Sequence, residues 1–280
     1  MEQYRPSGFQ LLPPVVKNLL IINIILFLAT ISLANTLHID LSDILGLHYF
    51  ASQKFHFWQI ITYMFMHGGF GHIFFNMFAL WMFGSAIENF WGPKRFLTYY
   101  LITGIGAALL HYIIYFYQIR PVMTVINDYI ANPDHDKLLA FFGSSNFQNY
   151  SQDIQESFAQ FRQHYNELIS SHHPQQALTL SIDFMQQYKI DFLNQPVIIG
   201  ASGAVFGLLI AFGMMFPNSL IYIYFAIPVK AKYFVIAYGA IELFSGVSGH
   251  AADNVAHFAH IGGMIFGFIL LKLWGVKRLN

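Results

Sequence analysis

Apolar residues along this chain fall in long blocks rather than in the alternating or one-sided patterns of a soluble fold. Val15 to Ala34 is the first, with Asn23 at its middle; His72 to Ile87 is the second and Phe96 to Tyr117 the third. Val197 to Phe216, Tyr233 to Phe244 with its flanks, and Ala256 to Trp274 complete the set. About 20 apolar residues in a helix span the ~30 Å hydrocarbon core of a bilayer, so these blocks predict six membrane-crossing helices. The segment Phe57 to His67 is apolar but short and aromatic, and predicts an interfacial, partly inserted loop helix, because aromatic rings favour headgroup level. Gly68, Gly69 and Gly71 interrupt it. Pro217 and Pro228 bracket an apolar, hairpin-like stretch, and Gly246 to Asn254 reads as a short loop of small residues.

Between the third and fourth blocks the pattern changes. Residues 118–195 are rich in Pro, Asn, Asp, Gln and Ser, with no run of spanning length. Ser157 to Ile169 places apolar residues near helical spacing, the mark of an amphipathic surface helix. The predicted fold class is therefore an all-α membrane protein: a six-transmembrane-helix bundle with a helical extramembrane insertion between helices 3 and 4. Its parts are an N-terminal segment (1–14), spans 1–3 (15–117), the insertion (118–195), spans 4–6 (196–275) and a short tail (276–280).

Composition agrees with the blocks. The chain is 56% hydrophobic and 10% charged with mean hydropathy +0.48, against roughly 25% charged residues in soluble domains. Net charge is zero, which argues against nucleic acid as a partner. Cysteine is absent, excluding disulfides, thiolate catalysis and cysteine-held metals. The charged and Pro-rich residues 1–17 precede the first apolar run, which is expected to be a retained anchor rather than a cleaved leader. With six spans, one side receives Arg5, Lys17, Lys94, Arg95, Lys230, Lys232, Lys272, Lys277 and Arg278. The other receives Lys54 and, within the insertion, Arg120, Lys137, Arg162 and Lys189. Positive charge in short loops stays inside, so both termini are expected in the cytoplasm and the insertion outside.

Polar residues in such surroundings imply a wet cavity or a site. Ser202 lies at the start of the fourth block among Gly200, Ala201, Gly203 and Ala204. Small residues admit a neighbouring helix to backbone contact, and the free N–H groups of a helix start form a ready oxyanion site. Gly263 and Gly267 repeat the spacing of Gly203 and Gly207, so the two helices can meet on these faces and bring Ser202 and His260 together. Taken singly, Ser202 reads as well as seam filler, and His260 as a packing residue or a proton relay. His257 lacks the glycine face and ranks below His260. His72 and Asn76, four residues apart, share one helix face and can both donate to a developing oxyanion. Phe206, one turn after Ser202, is placed to stack on His260, a role that matters because no carboxylate is expected to hold that histidine. His67 and His72 lack a converging carboxylate, and no His-Glu-x-x-His is present, so a metal is not expected.

Taken in order, His72-x-x-x-Asn76, Gly200-Ala-Ser202-Gly203-Ala-Val-Phe206-Gly and Ala259-His260-Ile-Gly-Gly263-x-x-x-Gly267 resemble the rhomboid family of intramembrane serine proteases. The likeness covers roughly 12–117 and 196–275 and omits the insertion. It implies a Ser202 nucleophile and a His260 general base, with His72, Asn76 and the Ser202 N–H as the oxyanion hole. It also implies a two-residue dyad without cofactor, protein substrates with transmembrane segments, and residence in the lipid bilayer. The absence of a transit-like N-terminus points to a bacterial cytoplasmic membrane. The alternative reading is a non-proteolytic rhomboid-like protein that holds transmembrane clients.

Overall fold

The computed structural model describes residues 8–144, 147, 151–195, 197–223, 226–248 and 251–276. Arg5, Lys277 and Arg278 of the charge argument lie outside these residues. Among the described residues the helices are α1 (Pro14–Leu37), α2 (Leu41–Leu45), α3 (Gln59–Thr62), α4 (Phe70–Ala79), α5 (Ser85–Trp91), α6 (Pro93–Ala131), α7 (His135–Phe142), α8 (Gln152–Ser170), α9 (Pro174–Asn194), α10 (Ser202–Met215), α11 (Ala231–Ser248) and α12 (Ala251–Leu273). A 3₁₀ turn at Tyr63–Phe65 follows α3, and a π-helical turn at Leu80–Gly84 joins α4 to α5. The strands are short: β1 (Leu47–His48), β2 (Val197–Ile198), β3 (Leu220–Ile223) and β4 (Ile227–Lys230), the last two an antiparallel hairpin pairing Leu220 with Lys230 and Ile223 with Ile227. The chain divides into one unit of residues 1–47, 57–114 and 198–280 and a second of residues 48–56 and 115–197.

In the first unit, the outward faces are greasy. Ile21, Ile24, Ile25, Leu28 and Ile31 of α1 are exposed, as are Phe74 and Phe75 of α4, Ile236, Ile241 and Phe244 of α11, and Phe268 and Leu273 of α12. Apolar faces on this scale are tolerated in lipid and not in water. Among the described residues, three helical segments are long and apolar enough to cross a membrane: Pro14–Leu37, Phe70–Trp91 and Pro93–Ala131. At 14 residues, α10 is shorter than the predicted 197–216 block. The chain is extended at Val197–Ile198 and turns into helix only at Ser202. At 1.5 Å per residue α10 is about 21 Å long, and no residue of it is exposed. It is the core of the unit, because Gly207 abuts Thr103 of α6, Gly213 abuts Val235 of α11, and Gly203 and Gly207 meet α12.

Other boundaries also moved. The third block continues as helix to Ala131, past Tyr117, through an internal Pro121. Residues 246–248 and 251–254 of the expected loop are helical, because small residues there continue α11 and open α12; residues 249 and 250 lie outside the described set. The aromatic segment at 57–67 is more deeply packed than an interfacial helix requires. Phe57 is exposed, but Gln59, Tyr63, Met64, Met66 and His67 are buried.

The second unit has its own aromatic core, with Phe142, Phe158, Phe161, Phe184 and Tyr188 in ring contact. Asp134 and Ser151 cap α7 and α8 through their side chains. The Tyr129 and Ser181 hydroxyls are 2.6 Å apart in its interior.

The start of α1 has no capping side chain of its own. Glu88 of α5, itself buried, supplies the cap from across the unit. Its Oε1 accepts from the Val15 N–H at 2.9 Å and its Oε2 from the Val16 N–H at 2.8 Å. A carboxylate at a helix N-terminus also complements the helix dipole. Asn89 reinforces the junction by exchanging hydrogen bonds with the Gln10 backbone at 2.8 and 2.9 Å. Leaving buried donors unpaired costs about 1–3 kcal/mol each. Glu88→Ala is therefore expected to lower the thermal unfolding midpoint in detergent by several degrees; an unchanged midpoint contradicts this account of the junction.

Candidate active site

The site is assembled where several elements of the first unit converge around the start of α10. Gly200 precedes it at φ +129°, a backbone conformation open to glycine, and a Cβ there would lie 2.8 Å from His72 Nε2. The Gly200 N–H donates to the Tyr63 carbonyl at 2.9 Å, and the Tyr63 hydroxyl donates to the Gly104 carbonyl at 2.7 Å. The turn into the helix is thereby tied to the 57–67 segment and to α6. Ser202 follows as the first helical residue, so its N–H is among the donors that a helix leaves unpaired.

Across from it stands α12. A Cβ on Gly263 would run into the Gly203 carbonyl, and one on Gly267 would meet the Tyr99 hydroxyl and approach the Gly207 Cα. The two glycine faces are in backbone contact. On that contact His260 Nε2 and Ser202 Oγ lie 2.9 Å apart. Phe206 lies flat on the His260 ring, centroids 4.3 Å apart and planes 7° from parallel, which restricts rotation of the imidazole. The His260 side chain is 20% exposed, and Ser202 is half-buried.

His72 and Asn76 share the inward side of α4. The Gly68 N–H approaches His72 Nδ1 at 3.4 Å. An N–H can only donate, so Nδ1 is the acceptor and Nε2, beside Gly200, carries the proton. Asn76 is buried and spends one amide hydrogen on the His72 carbonyl at 2.9 Å, leaving the second free of that bond. His67 packs edge-on against the His72 ring, centroids 5.0 Å apart.

One expectation fails. A carboxylate does reach the histidine: Glu242 of α11, buried, places Oε2 2.9 Å from His260 Nδ1 and 2.6 Å from His257 Nδ1. His257, ranked below His260, is therefore part of the same cluster. The signal was available in the sequence: Glu242 is an ionisable residue inside an apolar block, and such residues mark sites by default. The donor atoms of Glu242, His257 and His260 lie within 4.8 Å of one another. Hydrogen bonds join the carboxylate to both rings.

With this geometry in view, the comparisons are specific. The rhomboid domain family model matches residues 54–124 and 177–276, more than half of the chain, and the chain belongs to the rhomboid family. The match begins after α1 and extends beyond the expected limits at both sides of the insertion, leaving 125–176 between its two parts. The chain is 38% identical over 56 residues to rhomboid protease GluP of Bacillus subtilis (strain 168), covering 20% of this chain and 11% of that protein. It is 40% identical over 48 residues to putative rhomboid protease YdcA of the same organism, covering 17% of this chain and 24% of that protein. It is 40% identical over 53 residues to RHOMBOID-like protein 6, mitochondrial, of Arabidopsis thaliana, covering 19% and 17%. The matched stretches thus span less than a quarter of these relatives' lengths. Family and apolar helices together make this a multi-pass membrane protein.

Two outcomes follow from the packing. Gly263→Ala forces α10 and α12 apart, whereas Gly71→Ala, whose Cβ meets open space, does not. The first is expected to lower the unfolding midpoint in detergent and the second to leave it or raise it slightly; equal midpoints for the two variants contradict the close contact. Burial, and then the neighbouring His72, hold the His67 pKa down from 6.5 to about 4. Between those values the unfolded chain binds a proton that the folded chain excludes, so stability is present above pH 6.5 and falls on acidification toward pH 4. The loss amounts to about 3 kcal/mol at 1.36 kcal/mol per pKa unit. Midpoints measured from pH 7 to 4 are expected to fall less steeply in His67→Gln than in wild type; parallel curves contradict it.

Proposed function

We propose that this chain is an intramembrane serine protease that hydrolyses peptide bonds in or near the transmembrane segments of other proteins. The observation that carries the reading is the 2.9 Å approach of Ser202 Oγ to His260 Nε2 between two glycine-faced helices. Ser202 Oγ attacks the scissile carbonyl carbon while its proton passes to His260 Nε2. The carbonyl oxygen, now negative, is held by the Ser202 N–H, His72 Nε2–H and the free amide hydrogen of Asn76. His260 then returns the proton to the departing amine. Water enters by the same route, hydrolyses the acyl-enzyme, and regenerates the hydroxyl. Gly200 and Gly203 supply the close approach at the nucleophile, Gly263 and Gly267 the seat for its partner, and Phe206 the surface on which the imidazole rests.

The membrane arrangement belongs to the same proposal. α10, α11 and α12 complete a six-span bundle with α1, α4–α5 and α6. Residues 118–195 form an outward-facing helical insertion, and both termini lie in the cytoplasm of a bacterial cell. The distribution of Lys and Arg supports this orientation. At about 21 Å, α10 is roughly 9 Å shorter than the hydrocarbon core, so its N-terminal serine sits below the outer boundary in a pocket reached by water. Substrate helices are opened there before cleavage, because a peptide bond inside an intact helix cannot extend into the site. In proteoliposomes carrying a reporter transmembrane substrate, Ser202→Ala and His260→Ala are each expected to reduce cleavage by at least about 10³-fold, the scale of losing a unit of the catalytic pair, while both variants retain the wild-type unfolding midpoint. Cleavage at the wild-type rate in either variant overturns the assignment.

A further inference from the structure

A carboxylate within a membrane-spanning helix is expensive unless it is paired. Glu242 is paired twice on a single atom. Its side chain is 8% exposed, and its Oε2 meets His257 Nδ1 at 2.6 Å and His260 Nδ1 at 2.9 Å. A carboxyl group protonated on that oxygen gives its hydrogen to one ring and accepts from the other, whereas a carboxylate anion accepts from both. In the ionised form each imidazole carries its proton on Nδ1. For His260 this leaves the Nε2 lone pair free, and Nε2 is the atom that faces the Ser202 hydroxyl at 2.9 Å.

We propose that Glu242 is a positioning residue that completes a Ser202–His260–Glu242 triad, on top of the two-residue reading above and resting on it. The carboxylate fixes the tautomer in which His260 can receive the serine proton. When Nε2 takes that proton, the imidazolium stands 2.9 Å from an anion, which favours the charged intermediate. No proton moves to Glu242. It stays on Nε2 until the leaving amine takes it, so the balance is that of the dyad with a more stable intermediate. Phe206 and Glu242 divide the work: the ring on one face limits tilt, and the hydrogen bond at the edge sets which nitrogen is free. His257 shares the carboxylate from one turn earlier on α12, holding the acid against that helix.

Loss of the acid in a serine triad through an isosteric amide lowers kcat by as much as about 10⁴-fold. Glu242→Gln is expected to lower kcat by about 10²–10⁴-fold with KM within about threefold of wild type and an unchanged unfolding midpoint. If the folded variant keeps wild-type kcat, the positioning role is overturned. Should Glu242→Gln fail to fold, ¹⁵N-histidine NMR of the otherwise native protein decides. The signal that vanishes in His260→Ala is expected to report a protonated Nδ1, and a protonated Nε2 overturns the proposal. Ser202→Ala distinguishes the two levels. If that variant still cleaves, the protease reading fails. If it is inactive while Glu242→Gln is not, only the triad fails.

Discussion

The site depends on one backbone contact, that of Gly263 on the carbonyl of Gly203. Within lipid, apolar burial offers little reason for one helix to prefer another, and association rests on close packing. Glycine at four-residue spacing on both α10 and α12 gives that packing at its tightest, with Gly267 set beside Gly207 one turn further on. Two turns of contact fix the rotation of each helix about its axis. Rotation of either would carry Ser202 away from His260, so the same glycines that hold the helices together also set the 2.9 Å separation of the two side chains.

The remaining elements hold what that contact aligns. The start of α10 cannot drift, because Gly200 is bonded to Tyr63 and Tyr63 to Gly104. The imidazole cannot tilt freely, because Phe206 covers one face and Glu242 takes its Nδ1. The 57–69 segment matters here as packing: it buries Tyr63, Met64 and Met66 beneath the turn that presents the serine. Farther away, Arg95 lies over the Trp91 and Trp274 rings, joining the C-terminal end of α12 to the turn between α5 and α6. Rigid helices carry Ser202 and His260, and glycine sets their separation.

Much of this was legible in the chain because the decisive residues are unusual for their surroundings. Glycines spaced by four in apolar blocks announce a seam, and a serine and a histidine on two such seams mark a candidate site. Phe206 was readable from its one-turn offset to Ser202. Helix ends were less legible. Hydropathy averages over the extended residues before Ser202, so the fourth block read as longer than α10. Small residues at 246–254 resemble a loop in composition and yet continue as helix in most of that stretch. Glu242 was missed for a related reason. One acid hardly changes the hydropathy of the fifth block, and its partners lie 15 and 18 residues away on another helix, a pairing that depends on how α11 and α12 cross. The aromatic core of the second unit is likewise a product of tertiary packing among α7, α8 and α9, which a helical period alone does not reveal.

The central claim, that Ser202 is an activated nucleophile in a wet pocket, is most directly tested by reacting the detergent-solubilised protein with a fluorophosphonate and mapping the adduct by peptide mass spectrometry. A single adduct on Ser202, absent after His260→Ala, is the result this account predicts. Absence of any adduct on the folded protein, or an adduct on a different serine, contradicts it.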